Sequence, residues 1–394
     1  MKPKLPFFTL LLMISFASVN AVLFTPALPN IAHFFDISAK IAQQTITWFL
    51  IGYALGQLVY GPIANRFGRK PALYTGITLQ ILASLLCVFA GVIHQYWVLV
   101  LARFLCALGA GVGLKMTFTL VNECYDTQAA SQKISHLILA FAITPGLGVA
   151  LGGILNTYYG WESCFYAGVA YGIILLFFVM RLPETQTKLN LHALEIKHLL
   201  HAYGEQFKNS ELVLCGLLMG GSACFIYVFA ALAPFIAIKL FGMSSAEYGL
   251  FNIIPAIGLI LGSLVGSTLP KKHALKTIIK FGIGISTLGV LLLFAGMLLH
   301  LPIVFSLFLP CAVLYFGSCF IMSNASGIAM SHVTDKSHGA AVMSFINMST
   351  ATVGVLSLGL FTQTALLLPC VYIVLCIAMM FIFKQITPAT TSTL

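Results

Sequence analysis

Apolar runs of about 20 residues recur along this chain, and that is the length an α-helix needs to cross the hydrocarbon core of a bilayer. Twelve can be marked, at roughly 6–32, 42–64, 72–94, 97–122, 134–158, 162–181, 211–240, 245–269, 274–299, 302–328, 339–362 and 365–384. A membrane β-strand would instead alternate apolar and polar residues over about ten positions. Composition agrees: of 394 residues, 60% are hydrophobic and only 8% charged, where a soluble domain carries about a quarter charged residues. Too little polar side chain remains to cover a water-exposed surface. That excludes a soluble multidomain enzyme and a disordered or collagen-like chain. The first run follows Lys2 and Lys4 as in a signal peptide, but continues to Leu28, so it is expected to remain as the first membrane helix. The chain reads as an all-α polytopic membrane protein.

The net charge of +10 has a topological reading. With the N-terminus inside, sixteen of the twenty Lys and Arg fall in cytoplasmic stretches, among them Arg66, Arg69 and Lys70. Lys40 and Lys239 face the other side, and Arg103 and Lys115 lie within the fourth run. This bias follows the positive-inside rule and places both termini in the cytoplasm. It leaves no basic excess to assign to nucleic acid. The one long polar stretch, 182–210, divides the chain into a first half, 1–181, and a second, 211–394. When the halves are shifted by 206 residues, Phe35, Ile37 and Ser38 fall on Phe241, Met243 and Ser244, and Gly56–Val59 falls on Gly262–Val265. Two like halves around a central loop suit alternating access, with a site at their interface.

Several motifs carry a family resemblance. The turn after the second run reads Gly61-Pro-Ile-Ala-Asn65-Arg66-Phe-Gly68-Arg69-Lys70, similar to motif A of the major facilitator superfamily, GxxxDRxGRK, with Asn65 in place of the family's acid. Arg103-Phe-Leu-Cys106-Ala-Leu-Gly109 resembles motif B, RFxQGxG, with Cys106 in place of glutamine. Pro145, Gly148, Gly152 and Gly153 resemble the antiporter motif C, with Val149 where a second proline would stand. Thr25-Pro-Ala-Leu-Pro29, Gly160-Trp161-Glu162, Leu182-Pro-Glu-Thr185, Ala233-Pro-Phe235, Asn324-Ala325 and Gly339-Ala-Ala341 resemble further elements of the Bcr/CflA group of drug:proton antiporters. The resemblance implies the major facilitator fold, twelve transmembrane helices in two pseudo-symmetric six-helix halves. It further implies a monomer in a bacterial-type inner membrane that exports small organic molecules on a proton gradient, without a bound cofactor.

The charged residues sharpen and complicate that expectation. All ten Asp and Glu lie in loops or at helix ends, so the buried carboxylate usual for proton coupling is missing. Arg103 and Lys115 are the embedded charges, about 120° apart around a continuous helix at 100° per residue, and are candidates for coupling or for binding an anionic substrate. Lys115 could equally snorkel its amine to the interface. Glu123 and Asp126 are expected to pair with Arg66 or Arg69 as a latch at the motif A turn. Phe24, Tyr53, Gln57, Tyr227, Asn252, Asn324 and Asn347 are candidate cavity residues, a few polar groups among apolar walls. His198 and His201 lie three apart without further ligands, and the ten cysteines show no CxxC pair, so no metal site is expected. No Walker A motif, nucleophile–base pair or dinucleotide fingerprint is present, which argues against an enzyme. Two alternatives stay open: an organic-anion or siderophore transporter of the same fold, and a membrane sensor that moves nothing.

Overall fold

In a bilayer no water is available to an open backbone, so each crossing segment must satisfy its own N–H and C=O groups. A computed structural model of the protein meets this with helices, and shows no strand among the described residues. It describes residues 5–186, 189–190, 193–331, 333, 335–362 and 364–386; some helical side chains, including those of 138–142 and His198, also fall outside the description, as do Lys2 and Lys4. Among the described residues, eleven helices are long and apolar enough to cross a membrane. They are Phe7–Phe34, Ala39–Phe67, Arg69–Val92, Tyr96–Cys124, Glu162–Met180, Ser210–Leu240, Ser245–Thr268, Leu275–Leu298, Val304–Ser331, His338–Leu360 and Leu367–Gln385. The expected run at 134–158 falls within the fifth helix in chain order, Thr127–Tyr159. A shorter helix, Ile196–Phe207, lies in the central polar stretch.

The 206-residue repeat is visible in the backbone. Asp36 and Gly242 both take positive φ, 51° and 71°, at matched positions, as do His94 and His300, each at 52°. Ser38 and Ser244 each cap the helix that follows, accepting from the N–H of Ile41 and of Glu247. In the second case Glu247 completes a capping box. Beyond His94 and His300 the offset grows to 208. There Gly109 lies against Gly76 and Gln80, and Gly317 against Gly282 and Ser286, the same neighbours once the offsets are applied.

By its internal contacts the chain divides into two compact units. The first comprises Met1–Ile196 with Ala230–Ile253, the second Lys197–Phe229 with Ile254–Leu394. The inserted segment joins the first unit through hydrogen bonds. Gln43 Nε2 donates to Ala231 O (3.2 Å), Asn156 Nδ2 to Ser245 Oγ (2.8 Å), and Ser245 Oγ to Pro26 O (3.2 Å).

Candidate functional site

Two polar clusters stand out in the first unit, one at the turn between the second and third spans and one buried among the helices. At the turn, Gly68 ends the second span with φ 107°, a backbone conformation that disfavours any side chain. The space beside it is also taken, since a Cβ there would lie 2.8 Å from Glu184 Oε2. The Glu184 carboxylate sits on the first N–H groups of the third span. Arg69 N–H donates to Oε1 (3.0 Å) and Lys70 N–H to Oε2 (2.9 Å), while Gln186 N–H also reaches Oε1 (2.9 Å). A helix start carries orphan donors and a positive dipole end, so an anion is favoured there. Partial burial pushes the Glu184 carboxyl up, but the backbone donors of Gln186, Lys70, Arg69 and Thr185 outweigh it and hold the group below the usual carboxylate range.

Arg69 links this cap to the end of the fourth span. Its Nε and Nη2 donate to Glu123 Oε1 at 3.1 and 2.7 Å, and its Nη1 donates to Asn65 Oδ1 at 2.8 Å. The Thr185 hydroxyl donates to the other carboxylate oxygen, Glu123 Oε2, at 2.5 Å. Asn65, though neutral, therefore still accepts from the arginine. Lys70 Nζ donates to Met180 O (3.1 Å), and the Arg66 guanidinium lies 5.9 Å from the Phe67 ring. Of the two acids expected at this turn, the structure brings Glu123 to Arg69 and puts Asp126 elsewhere. Asp126 caps the helix Thr127–Tyr159, accepting from Ala129 N–H at 2.8 Å. The half-buried Lys115 lies beside Gly61, its Cε 3.5 Å from where a Cβ would stand. The part of Glu184 and Thr185 was not anticipated, because a cap delivered from 115 residues away leaves no local spacing to read.

Arg103 forms the centre of the second cluster and is 2% exposed. Its guanidinium lies 3.9 Å from the Phe24 ring centre and 4.3 Å from that of Phe49. Nη1 donates to Asn20 O (2.9 Å), while Nε and Nη2 have no hydrogen-bond partner among the described residues. Gln80 ties the surrounding spans together, its Nε2 donating to Asn20 Oδ1 (2.7 Å), Ser84 Oγ (2.8 Å) and Gly168 O (3.3 Å). Asn20, Gln80 and Ser84 were not singled out from the sequence. The signal that could have found them is their polarity inside apolar runs, where such groups are costly unless partnered. Arg103 and Lys115 share no cluster, and the helix between them is interrupted at Gly111.

The glycines of the fifth helix pack closely. Gly148 faces Val22, Gly152 the Leu23 carbonyl, and Gly153 the Ser245 carbonyl and Gly249; Pro145, four positions before Val149, lies inside the same helix. The candidate cavity residues divide between the two units. Phe24, Tyr53, Gln57 and Asn252 belong to the first unit, and Tyr227, Asn324 and Asn347 to the second. Phe24 covers Arg103, and Tyr53 stacks on Phe49. Asn252 donates to Tyr248 Oη (3.2 Å) and Asn324 to Phe320 O (2.8 Å) within their own helices. Gln57 Nε2 and Asn347 Oδ1 are buried without a hydrogen-bond partner among the described residues, while Tyr227 is half-buried.

The family model of the Major Facilitator Superfamily matches residues 10–358. The chain belongs to this superfamily. This facilitator is a multi-pass membrane transporter, and its relatives share most of its length. It is 26% identical to Multidrug resistance protein D of Escherichia coli over 82% of this chain and 79% of the relative. It is 24% identical to a Bicyclomycin resistance protein homolog of Haemophilus influenzae, over 71% and 70%. It is 27% identical to Multidrug transporter MdfA of Shigella boydii, over 86% and 82%. Its fold is that of a solved D-xylose–proton symporter, with a TM-score of 0.77 over 98% of this chain and 99% of that one at 16% identity.

Proposed function

We propose that this facilitator exports small organic molecules, drugs among them, by proton-coupled alternating access across a bacterial-type inner membrane. The observation that carries this reading is its kinship, over most of both chains, with proteins named for multidrug and bicyclomycin resistance. In the proposed arrangement both termini are cytoplasmic, and the halves 1–181 and 211–394 rock about the stretch 182–210. One chain suffices, and no chemistry is performed on the substrate. The turn cluster of Arg69, Asn65, Glu123, Glu184 and Thr185 is then a contact that one state makes and the other releases. Arg103 is enclosed by Phe24, Phe49 and Asn20, which favours a coupling role over capture of an anionic substrate.

The test is transport by purified protein in proteoliposomes with an imposed pH gradient, over a panel including bicyclomycin, chloramphenicol and ethidium. Uphill movement of at least one of these, collapsed when the gradient is dissipated, is the expected result. Transport confined to anionic compounds, or binding without movement, would overturn it. Cysteine-accessibility labelling should find residues near 200 cytoplasmic and position 36 external.

A further inference from the structure

The first unit buries a guanidinium and supplies no acid to meet it. Among the described residues of this unit, Asp36, Glu123, Asp126, Glu162, Glu184, Glu195 and Glu247 all lie in loops or at span ends. A charge held away from water needs an opposite charge or full hydrogen bonding. Arg103 makes one hydrogen bond, and its Nε and Nη2 make none among the described residues. The faces of Phe24 and Phe49 attract the cation but cannot neutralise it. Two thiols interact electrostatically with the guanidinium, Cys106 about one turn along the same span and Cys87 of the third span. Both are 0% exposed. Cys106 Sγ also lies 3.4 Å from Ser84 Oγ and 3.8 Å from Gln80 O. Cys106 occupies the place where the resembling motif has glutamine, and a thiol can ionise where an amide cannot.

We propose that Cys106, buried one turn from Arg103 on the fourth span and in contact with Ser84, is the proton-carrying group of the transport cycle; this rests on the proton-coupled reading above. In the releasing step the Cys106 S–H bond breaks, its electron pair stays on sulfur, and the proton leaves to water on the side to which the site opens. The thiolate pairs with Arg103 and accepts from the Ser84 hydroxyl. A proton from the opposite side re-forms the S–H bond, so no oxidant or cofactor enters. Around the pair stand Arg103 from the same span, Ser84 and Gln80 from the third, Asn20 and Phe24 from the first, Phe49 from the second and Phe165 from the sixth. Of these only Arg103 carries a fixed charge. Protonation therefore converts an ion pair into a lone buried cation, a change in interaction energy large enough to bias two conformations.

The experiment measures gradient-driven efflux against pH in proteoliposomes kept under reductant, using a compound of the panel above that the parent pumps, for the parent, Cys106→Ala, Cys106→Ser and Cys106→Asp. The infrared S–H stretching band of each purified protein is titrated alongside. The parent is expected to pump and to show an S–H component that fades as pH rises. Cys106→Ala and Cys106→Ser should lose both that component and uphill efflux. Cys106→Asp should recover uphill efflux with its profile moved to lower pH, because a carboxylate ordinarily titrates below a thiol. Cys106→Ser keeps a hydrogen-bonding group on a side chain of the same shape, and recovery of efflux in Cys106→Asp separates loss of the titrating group from a packing defect. If the parent pumps and either Cys106→Ala or Cys106→Ser pumps with the same pH profile, the thiol assignment is overturned alone. A titrating S–H component that survives in Cys106→Ser overturns it too. A parent that shows no gradient-driven efflux of any panel compound overturns the proton-coupled reading, and this assignment with it.

Discussion

The neighbourhood of Arg103 in the first half and that of Cys311 in the second stand on matched backbone. Gly109 and Gly317 hold the fourth and tenth spans against the third and ninth in the same way: a Cβ would meet Gly76 O at 2.5 Å in one half and Gly282 O at 2.7 Å in the other. The side chains then part company. Gln80, Ser84, Cys87, Arg103 and Cys106 are matched by Ser286, Val290, Leu293, Cys311 and Leu314. Even the hydrogen bond between the spans reverses direction. Cys106 Sγ donates to Gln80 O in the first half, and Ser286 Oγ donates to Leu314 O in the second. Close helix approach in lipid depends on small residues and is preserved; the buried guanidinium belongs to the first half. The fold supplies the frame, and function is built into particular positions on it.

Moving the charge across the repeat should have the largest effect. Cys311→Arg would bury a guanidinium at a fully buried position, where Val290, Leu293 and Leu314 stand for Ser84, Cys87 and Cys106, and is expected to cost about 3–5 kcal/mol, the scale of an uncompensated buried charge. Thermal unfolding in detergent measures this; a variant as stable as the parent would break the claim that polar neighbours support Arg103. Next in size, Gly109→Ala and Gly317→Ala should each destabilise by about 1–3 kcal/mol through overpacking. Unequal losses would break the equivalence of the two crossings.

The turns provide a finer comparison. Gly68 and Ala274 are matched by the 206-residue offset, but Gly68 has φ 107° and a Glu184 carboxylate beside it, while Ala274 is extended and offers no side-chain cap. Gly68→Leu should cost about 1–3 kcal/mol from the glycine-only backbone conformation alone, and should sharply reduce transport with membrane insertion intact. Normal flux in that variant would remove the turn from the mechanism. Smallest are the caps: Glu184→Ala should lose about 1 kcal/mol and Ala274→Asp gain a comparable amount. Because Glu184 is held below its ordinary 4.5, its contribution is full above that value. It is lost as pH falls through the lower folded-state value. Glu184→Gln should flatten that acid limb of the stability profile, and an unchanged limb would show that the cap does not titrate.

Much of the fold was legible in the chain itself. The marked runs and the observed helices agree to within a few residues for most spans, and the repeat located matched caps at Ser38 and Ser244. Asp126 shows how a local signal can be misassigned. An acid one residue before a helix is an ordinary N-cap, yet proximity to Glu123 suggested a shared role at the turn. Arg103 was visible as an embedded charge, but its partners were not. Asn20 stands 83 residues away, and Gln80 is tied to Asn20 across 60.

By itself the sequence determined the number and extent of the apolar crossings, the repeat and the motif-bearing turns, because hydrophobic length and helix-ending residues are properties of neighbours along the chain. Tertiary structure alone decided which charged and polar groups meet. Arg69 takes Glu123 from 54 positions away and receives the Glu184 cap from 115, while Asp126 turns to its own helix. A hydrogen bond is decided by distances of about 3 Å, and helices brought together at small residues set those distances without leaving a periodic trace in the sequence.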